Sequence, residues 1–161
     1  MWFYPIALCS SGCGKEETID HLFLKCEFFG SIWHLLHPWL GISTTIPSYM
    51  GCHAQQYFGA HAFKKEVCSC FRVVWMTCLW VIWKERNSRI FNNKAPSQDH
   101  LLDSIKLHSW WWLKAPKSSF YFNFRCWYSS LSLCIEYYHC VIVVLGSALF
   151  VVFRALGFSS F

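Results

Sequence analysis

Through EFFGSIWHLLHPWLG, residues 27–41, the apolar side chains Phe29, Ile32, Trp33, Leu36 and Leu40 recur at three- and four-residue intervals. That period predicts a helix with one buried stripe, and Gly41 supplies a stop. From 61 to 93 the pattern changes. The run Val73 to Trp83, VVWMTCLWVIW, carries no charge, and Arg72, Lys84, Glu85 and Arg86 bracket it. A bilayer span needs about 20 apolar residues, so this shorter run predicts a helix buried within a core. Lys84, Arg86 and Arg89 near its C-terminal end suit the helix dipole.

Asn92 to Pro96 breaks the pattern. Ser97 then reads as an N-cap and Asp99 as a first-turn acid, which predicts a helix from Gln98 to Lys114. Leu101, Ile105, His108 and Trp112 share one face, Leu102 widens it, and Pro116 ends it. Residues 42–60, rich in Ser, Thr, Gly, Pro and Gln, are expected to form a loop. The tail turns apolar again, and its core CVIVVLGSALFVVF predicts a C-terminal helix. Extended back to Leu131 it reaches membrane-spanning length, but then it includes Glu136. The expected fold is mainly α. It comprises an N-terminal module over 1–41, a loop over 42–60, a helical region over 61–128 and an apolar tail over 129–161.

Composition sharpens this picture. Of the 161 residues, 55% are hydrophobic, 20% aromatic and only 14% charged, against about 25% charged in an average soluble domain. Ten Trp and fifteen Phe exceed what one small core can hide, so either some face a partner, a membrane or solvent, or the chain is a piece of something larger. The net charge of +5 is compatible with nucleic acid but forms no phosphate-binding stripe. The ten Cys could imply a disulfide framework. The start MWFYPIALCSSGCGKEE, however, lacks the basic region of a signal peptide, and its apolar stretch is interrupted at Pro5 and ends in a polar Cys-Ser-Ser-Gly-Cys turn. An intracellular, reducing setting makes the clustered Cys metal ligands and the scattered ones small apolar side chains.

The cluster is Cys9-x3-Cys13-x7-His21-x4-Cys26. Thiolate and imidazole are the usual donors of structural Zn²⁺, which takes four ligands in a tetrahedron. Ser10, Ser11 and Gly12 are small enough to let Cys9 and Cys13 grip one ion from a tight turn. His21 and Cys26 lie about 140° apart on an ideal helix. His21 is therefore expected at a helix start capped by Asp20, with Cys26 a turn further in. Four protein ligands leave no open position for a substrate, so the zinc is structural.

The block CSSGCGKEETIDHLFLKCEFFGSIWHLL resembles the zinc-binding region C-terminal to the reverse transcriptase of plant non-LTR (LINE-type) retrotransposons. Cys9, Cys13, Glu17-Thr18, His21-Leu22-Phe23, Cys26 and Ile32-Trp33 follow that family's order. WVIWKERNSRIFNN (80–93) and SIKLHSWWWLKA (104–115) resemble the segments that come next, so the resemblance covers roughly residues 7–128. It implies Cys9, Cys13, His21 and Cys26 as zinc ligands and contact with RNA or DNA beside a polymerase.

A polymerase needs clustered carboxylates for two metal ions. The Asp residues here are Asp20, Asp99 and Asp103, with no Asp-Asp pair. No glycine-rich phosphate loop or nucleophile elbow appears either. The expectation is a fragment of a retrotransposon polyprotein that is not an enzyme and takes no small-molecule substrate. Lys15 and Lys25 lie near its site, and Trp110, Trp111 and Trp112 are available to stack on bases. The rival reading is a small membrane protein inserted through residues 137–153, with Tyr137, Tyr138 and Arg154 at the interface.

Overall fold

A computed structural model describes residues 7–58, 65–92, 96–115 and 123–131, with side chains from 69 onward in the second of the four spans. The fold is mainly α. A π-helical turn, His21–Lys25, precedes α1 (Ser31–Leu40), α2 (Met50–Phe58), α3 (Lys65–Asn92), α4 (Gln98–Lys114) and α5 (Phe124–Ser129). There is no strand among the described residues, only an isolated antiparallel bridge between Leu8 and Glu16.

The long helix α3 is the centre of the fold, with α2 and α4 packed on it; α4 also meets α1 and α5. Its middle is apolar on every side, so burial on every side is the way it is accommodated. Phe71, Val74, Trp75, Met76, Cys78, Leu79 and Ile82 are all buried. The lone hydroxyl inside this stretch, Thr77 Oγ1, donates to Val73 O at 2.7 Å. Glu85 is also buried, and Arg89 Nε donates to its Oε1 at 2.7 Å while the guanidinium lies 4.0 Å over the Phe28 ring. The buried carboxylate is thus paired rather than stranded.

The stripe expected over 27–41 is buried: Phe29, Ile32, Trp33, Leu36 and Leu40 are at most 1% exposed. Helix α1 starts at Ser31, and Gly41 ends it in the left-handed region at φ 70°. Ser97 caps α4 as expected, accepting from His100 N–H at 3.3 Å. The buried face of α4 is rotated from the expected one, to Leu101, Ile105, Ser109 and Leu113. His108 and Trp112 lie on its flank, their rings 4.9 and 5.5 Å from Trp80 of α3. Ser109 takes the central place because it is small, and its hydroxyl donates to Lys106 O.

Two elements depart from the expected pattern. Residues 50–58 of the expected loop form α2 instead. Its buried face is Met50, His53 and Tyr57 at helical spacing, two of which count as polar in a hydropathy pattern. Its first turn is held from outside, Asp20 Oδ1 accepting from Met50 N–H at 2.8 Å. The short helix α5 is capped by Asn123 and locked through Trp127, whose Nε1 donates to Lys106 O and whose carbonyl accepts from Trp39 Nε1.

Of the scattered cysteines, Cys70 and Cys78 are buried as expected, Cys52 is exposed, and Cys126 is disulfide-bonded. Cys134, Cys140, the stop expected at Pro116 and the expected apolar helix beyond Leu131 lie outside the described residues. No helix among the described residues is long and apolar enough to cross a membrane.

Candidate metal centre

Cys9 and Cys13 sit on one tight loop. Its base is closed by backbone bonds from Glu17 N–H to Ala7 O at 2.8 Å and from Cys9 N–H to Lys15 O at 2.9 Å. The chain reverses through Gly12 and Gly14 at φ 82° and 73°, a region where a Cβ is strained. Gly12 N–H donates back to Cys9 O.

His21 and Cys26 come from the π-helical turn. Thr18 Oγ1 accepts from His21 N–H at 3.1 Å and opens the turn. Cys26 N–H closes it on His21 O at 2.7 Å, an i→i+5 bond in place of the α-helical i→i+4. The wider turn brings Cys26 back over His21, which five residues of α-helix would not do. Cys26 is the C-cap, with extended backbone at φ −65°, ψ 129°. Asp20 does not cap this turn, contrary to expectation; its carboxylate serves α2. Leu22, Phe23 and Leu24 point into the core, and Trp33 Nε1 fastens the turn to α1 by donating to Phe23 O at 2.7 Å.

These two supports bring Cys9 Sγ, Cys13 Sγ, a ring nitrogen of His21 and Cys26 Sγ within 4.8 Å of one another. Cys9 Sγ and Cys26 Sγ are 3.8 Å apart, and Cys13 Sγ and His21 Nε2 are 3.2 Å apart. Zinc–sulfur bonds of about 2.3 Å give a tetrahedral edge of about 3.8 Å. The first pair is already at that spacing, and the widest pair needs to close by about 1 Å. Cys9, His21 and Cys26 are buried, while Cys13 is half-buried at the rim. The residues present therefore fit a small divalent cation that prefers sulfur and nitrogen.

The thiols are not equivalent. Hydrogen bonds from the Ser11 side chain and then the Lys15 amide lower Cys13 to about 6, whereas burial raises Cys9 to about 11. Two further residues belong to the site: Ser11 is more than the small turn former its sequence context suggests, and Glu17 more than a position in the residue order. Ser11 Oγ lies 3.1 Å from Cys26 Sγ and 3.3 Å from Cys9 Sγ. Glu17 Oε2 accepts from Ser10 N–H at 3.2 Å and so holds the loop from behind. Lys15 and Lys25 lie beside the module, Lys15 4.0 Å from Glu27 and Lys25 5.2 Å over the Tyr49 ring.

No family model, curated protein or solved structure matches the chain.

Proposed function

We propose that residues 7–41 are a structural zinc module, and that the protein is a non-catalytic, nucleic-acid-associated chain of the kind that follows the reverse transcriptase in plant LINE-type retrotransposons. The observation that carries the reading is the convergence of Cys9, Cys13, His21 and Cys26 within 4.8 Å from two separately built supports. Three sulfurs and an imidazole favour Zn²⁺ over hard oxygen-seeking ions. With four protein donors the ion has no open position for substrate or water, so its contribution is to folding.

The nucleic-acid part rests on the residue order around the ligands and on the aromatic surface of α3 and α4. Trp111 is 54% exposed, and Lys114 Nζ lies 4.4 Å over Trp110 and 6.0 Å over Trp111. Lys84 Nζ lies 5.0 Å over Trp80. One exposed ring, Trp111, and two half-buried ones, Trp80 and Trp110, beside ammonium groups suit bases and phosphates of a single strand. Two measurements test the proposal. Metal analysis of the purified protein is expected to give one zinc per chain, lost in Cys13→Ala; a stoichiometry near zero overturns it. An anisotropy titration with single-stranded RNA is expected to show binding that weakens with salt. No binding at low or moderate salt removes the nucleic-acid part.

A further inference from the structure

Three thiolates and a neutral imidazole around a divalent cation carry one net negative charge, in a site where Cys9, His21 and Cys26 are all buried. Such a charge is held by hydrogen-bond donors aimed at the sulfurs, and their removal from metal sites typically costs 10–100-fold in affinity. The backbone supplies some of them: Ser11 N–H serves Cys9 and Lys15 N–H serves Cys13. Cys26 is placed differently. It ends the π-helical turn, and its own N–H is spent on His21 O. The contacts of its sulfur are Ser11 Oγ at 3.1 Å and Cys9 Sγ at 3.8 Å.

The Ser11 hydroxyl lies among the sulfurs: Cys26 Sγ is 3.1 Å away, Cys9 Sγ is 3.3 Å away, and Cys13 is also hydrogen-bonded to this side chain. Cys13 N–H donates to Ser11 Oγ at 3.3 Å, which occupies an acceptor site on the oxygen and leaves the O–H to the sulfurs. In the metal-free protein a Cys26 S–H donates to Ser11 Oγ. Around a bound cation Cys26 is a thiolate and only accepts, so the bond runs the other way, from Ser11 O–H to Cys26 Sγ. The same side chain thus serves both forms.

From this geometry we infer that Ser11 is a positioning residue of the metal centre, which raises its affinity for a thiophilic divalent cation by donating a hydrogen bond to the Cys26 thiolate. The inference rests on the zinc-module reading. It adds a residue that ligates nothing, and it distinguishes the role of the Ser11 side chain from the turn-forming role of a small residue at that position.

The test is a Co²⁺ titration of the full chain followed by Zn²⁺ competition, on wild type, Ser11→Ala and Ser11→Thr. Wild type is expected to bind one Co²⁺ with a thiolate-to-cobalt charge-transfer band. Ser11→Ala is expected to bind at least about tenfold more weakly. Its charge-transfer band moves to lower energy, because a thiolate that has lost a hydrogen bond gives up its electron more easily. Ser11→Thr, which keeps the hydroxyl, is expected to restore both. Unchanged affinity and band in Ser11→Ala overturn the inference and leave the zinc module standing. Weaker binding with an unshifted band that Thr does not rescue overturns it too, since a merely structural residue behaves so. A wild-type chain that binds no cobalt overturns the zinc module, and this inference with it.

Discussion

Arg86 of α3 holds Glu17 across 69 residues of chain, its Nε 2.8 Å and its Nη2 2.7 Å from the same carboxylate oxygen. The other oxygen of Glu17 accepts from Ser10 N–H inside the loop that carries Cys9 and Cys13. One carboxylate therefore ties the central helix to the site, and the guanidinium is backed by the Trp83 ring at 5.1 Å. The pair is mostly buried, with the two side chains 22% and 10% exposed.

Removing either partner of this pair leaves the other charge with reduced solvation and the loop less constrained. Arg86→Ala and Glu17→Ala are each expected to cost about 1–3 kcal/mol in chemical denaturation. Because the two act as one unit, the double variant should cost clearly less than the sum. Additive losses in a double-mutant cycle would mean that the contact is an idle one.

Gly30 and Gly51 should respond to alanine with opposite signs. A Cβ on Gly30 would lie 2.2 Å from Leu24 O and 2.8 Å from Cys26 O, both rigid backbone atoms. Gly30→Ala is therefore expected to destabilise by about 3 kcal/mol or more and to weaken metal binding, since it displaces the Cys26 carbonyl. Gly51, in α2, has nothing within 4 Å of its added Cβ. Gly51→Ala is expected to stabilise by about 0.5–1 kcal/mol through helix propensity. Denaturant midpoints of the two variants, measured side by side, decide both.

Metal removal should act on folding rather than on any turnover. With free Zn²⁺ at about a thousand times its dissociation constant, the ion adds about 4 kcal/mol to stability. A chelator is then expected to lower the melting temperature of wild type and to leave Cys13→Ala unchanged. Identical melting of wild type with and without chelator would contradict a structural ion.

The features legible in the sequence are those whose cause is local. The start of α4 follows from the Ser97 cap, and the burial of Ile32, Trp33, Leu36 and Leu40 follows from their spacing. The cluster of Cys9, Cys13, His21 and Cys26 follows from residue type and order. The unread features have their causes elsewhere in the fold. Helix α2 depends on a carboxylate 30 residues away, Asp20 to Met50, and on a buried face supplied by His53 and Tyr57. The turn that brings His21 and Cys26 together is a π closure, for which the residues HLFLK carry no marker. The buried face of α4 includes Ser109, which a hydropathy pattern reads only as polar.

His53 gives the fold a defined acid sensitivity. It is fully buried, with its ring 4.4 Å from that of Trp33 and 5.2 Å from that of Tyr57. Trp75 Nε1 donates to its Nδ1 at 3.2 Å, which puts the imidazole proton on Nε2, where it meets no acceptor among the described residues. Among the described residues no carboxylate contact offsets protonation. Burial, with the neighbouring His37 adding to it, lowers His53 from 6.5 to about 4. Below pH 6.5 the unfolded chain takes up a proton that the folded chain refuses, so stability is full above 6.5 and falls toward 4. Over that window the loss is about 3 kcal/mol. His37, also lowered by its burial and then by His34, adds to the same slope. In His53→Gln the amide oxygen can still accept from Trp75 while nothing titrates at position 53, and only the smaller contribution of His37 remains. Denaturation midpoints between pH 4 and 7 should therefore flatten in this variant, with and without chelator alike. A slope that persists in His53→Gln and disappears only when metal is removed would assign the acid sensitivity to the metal ligands instead of this histidine.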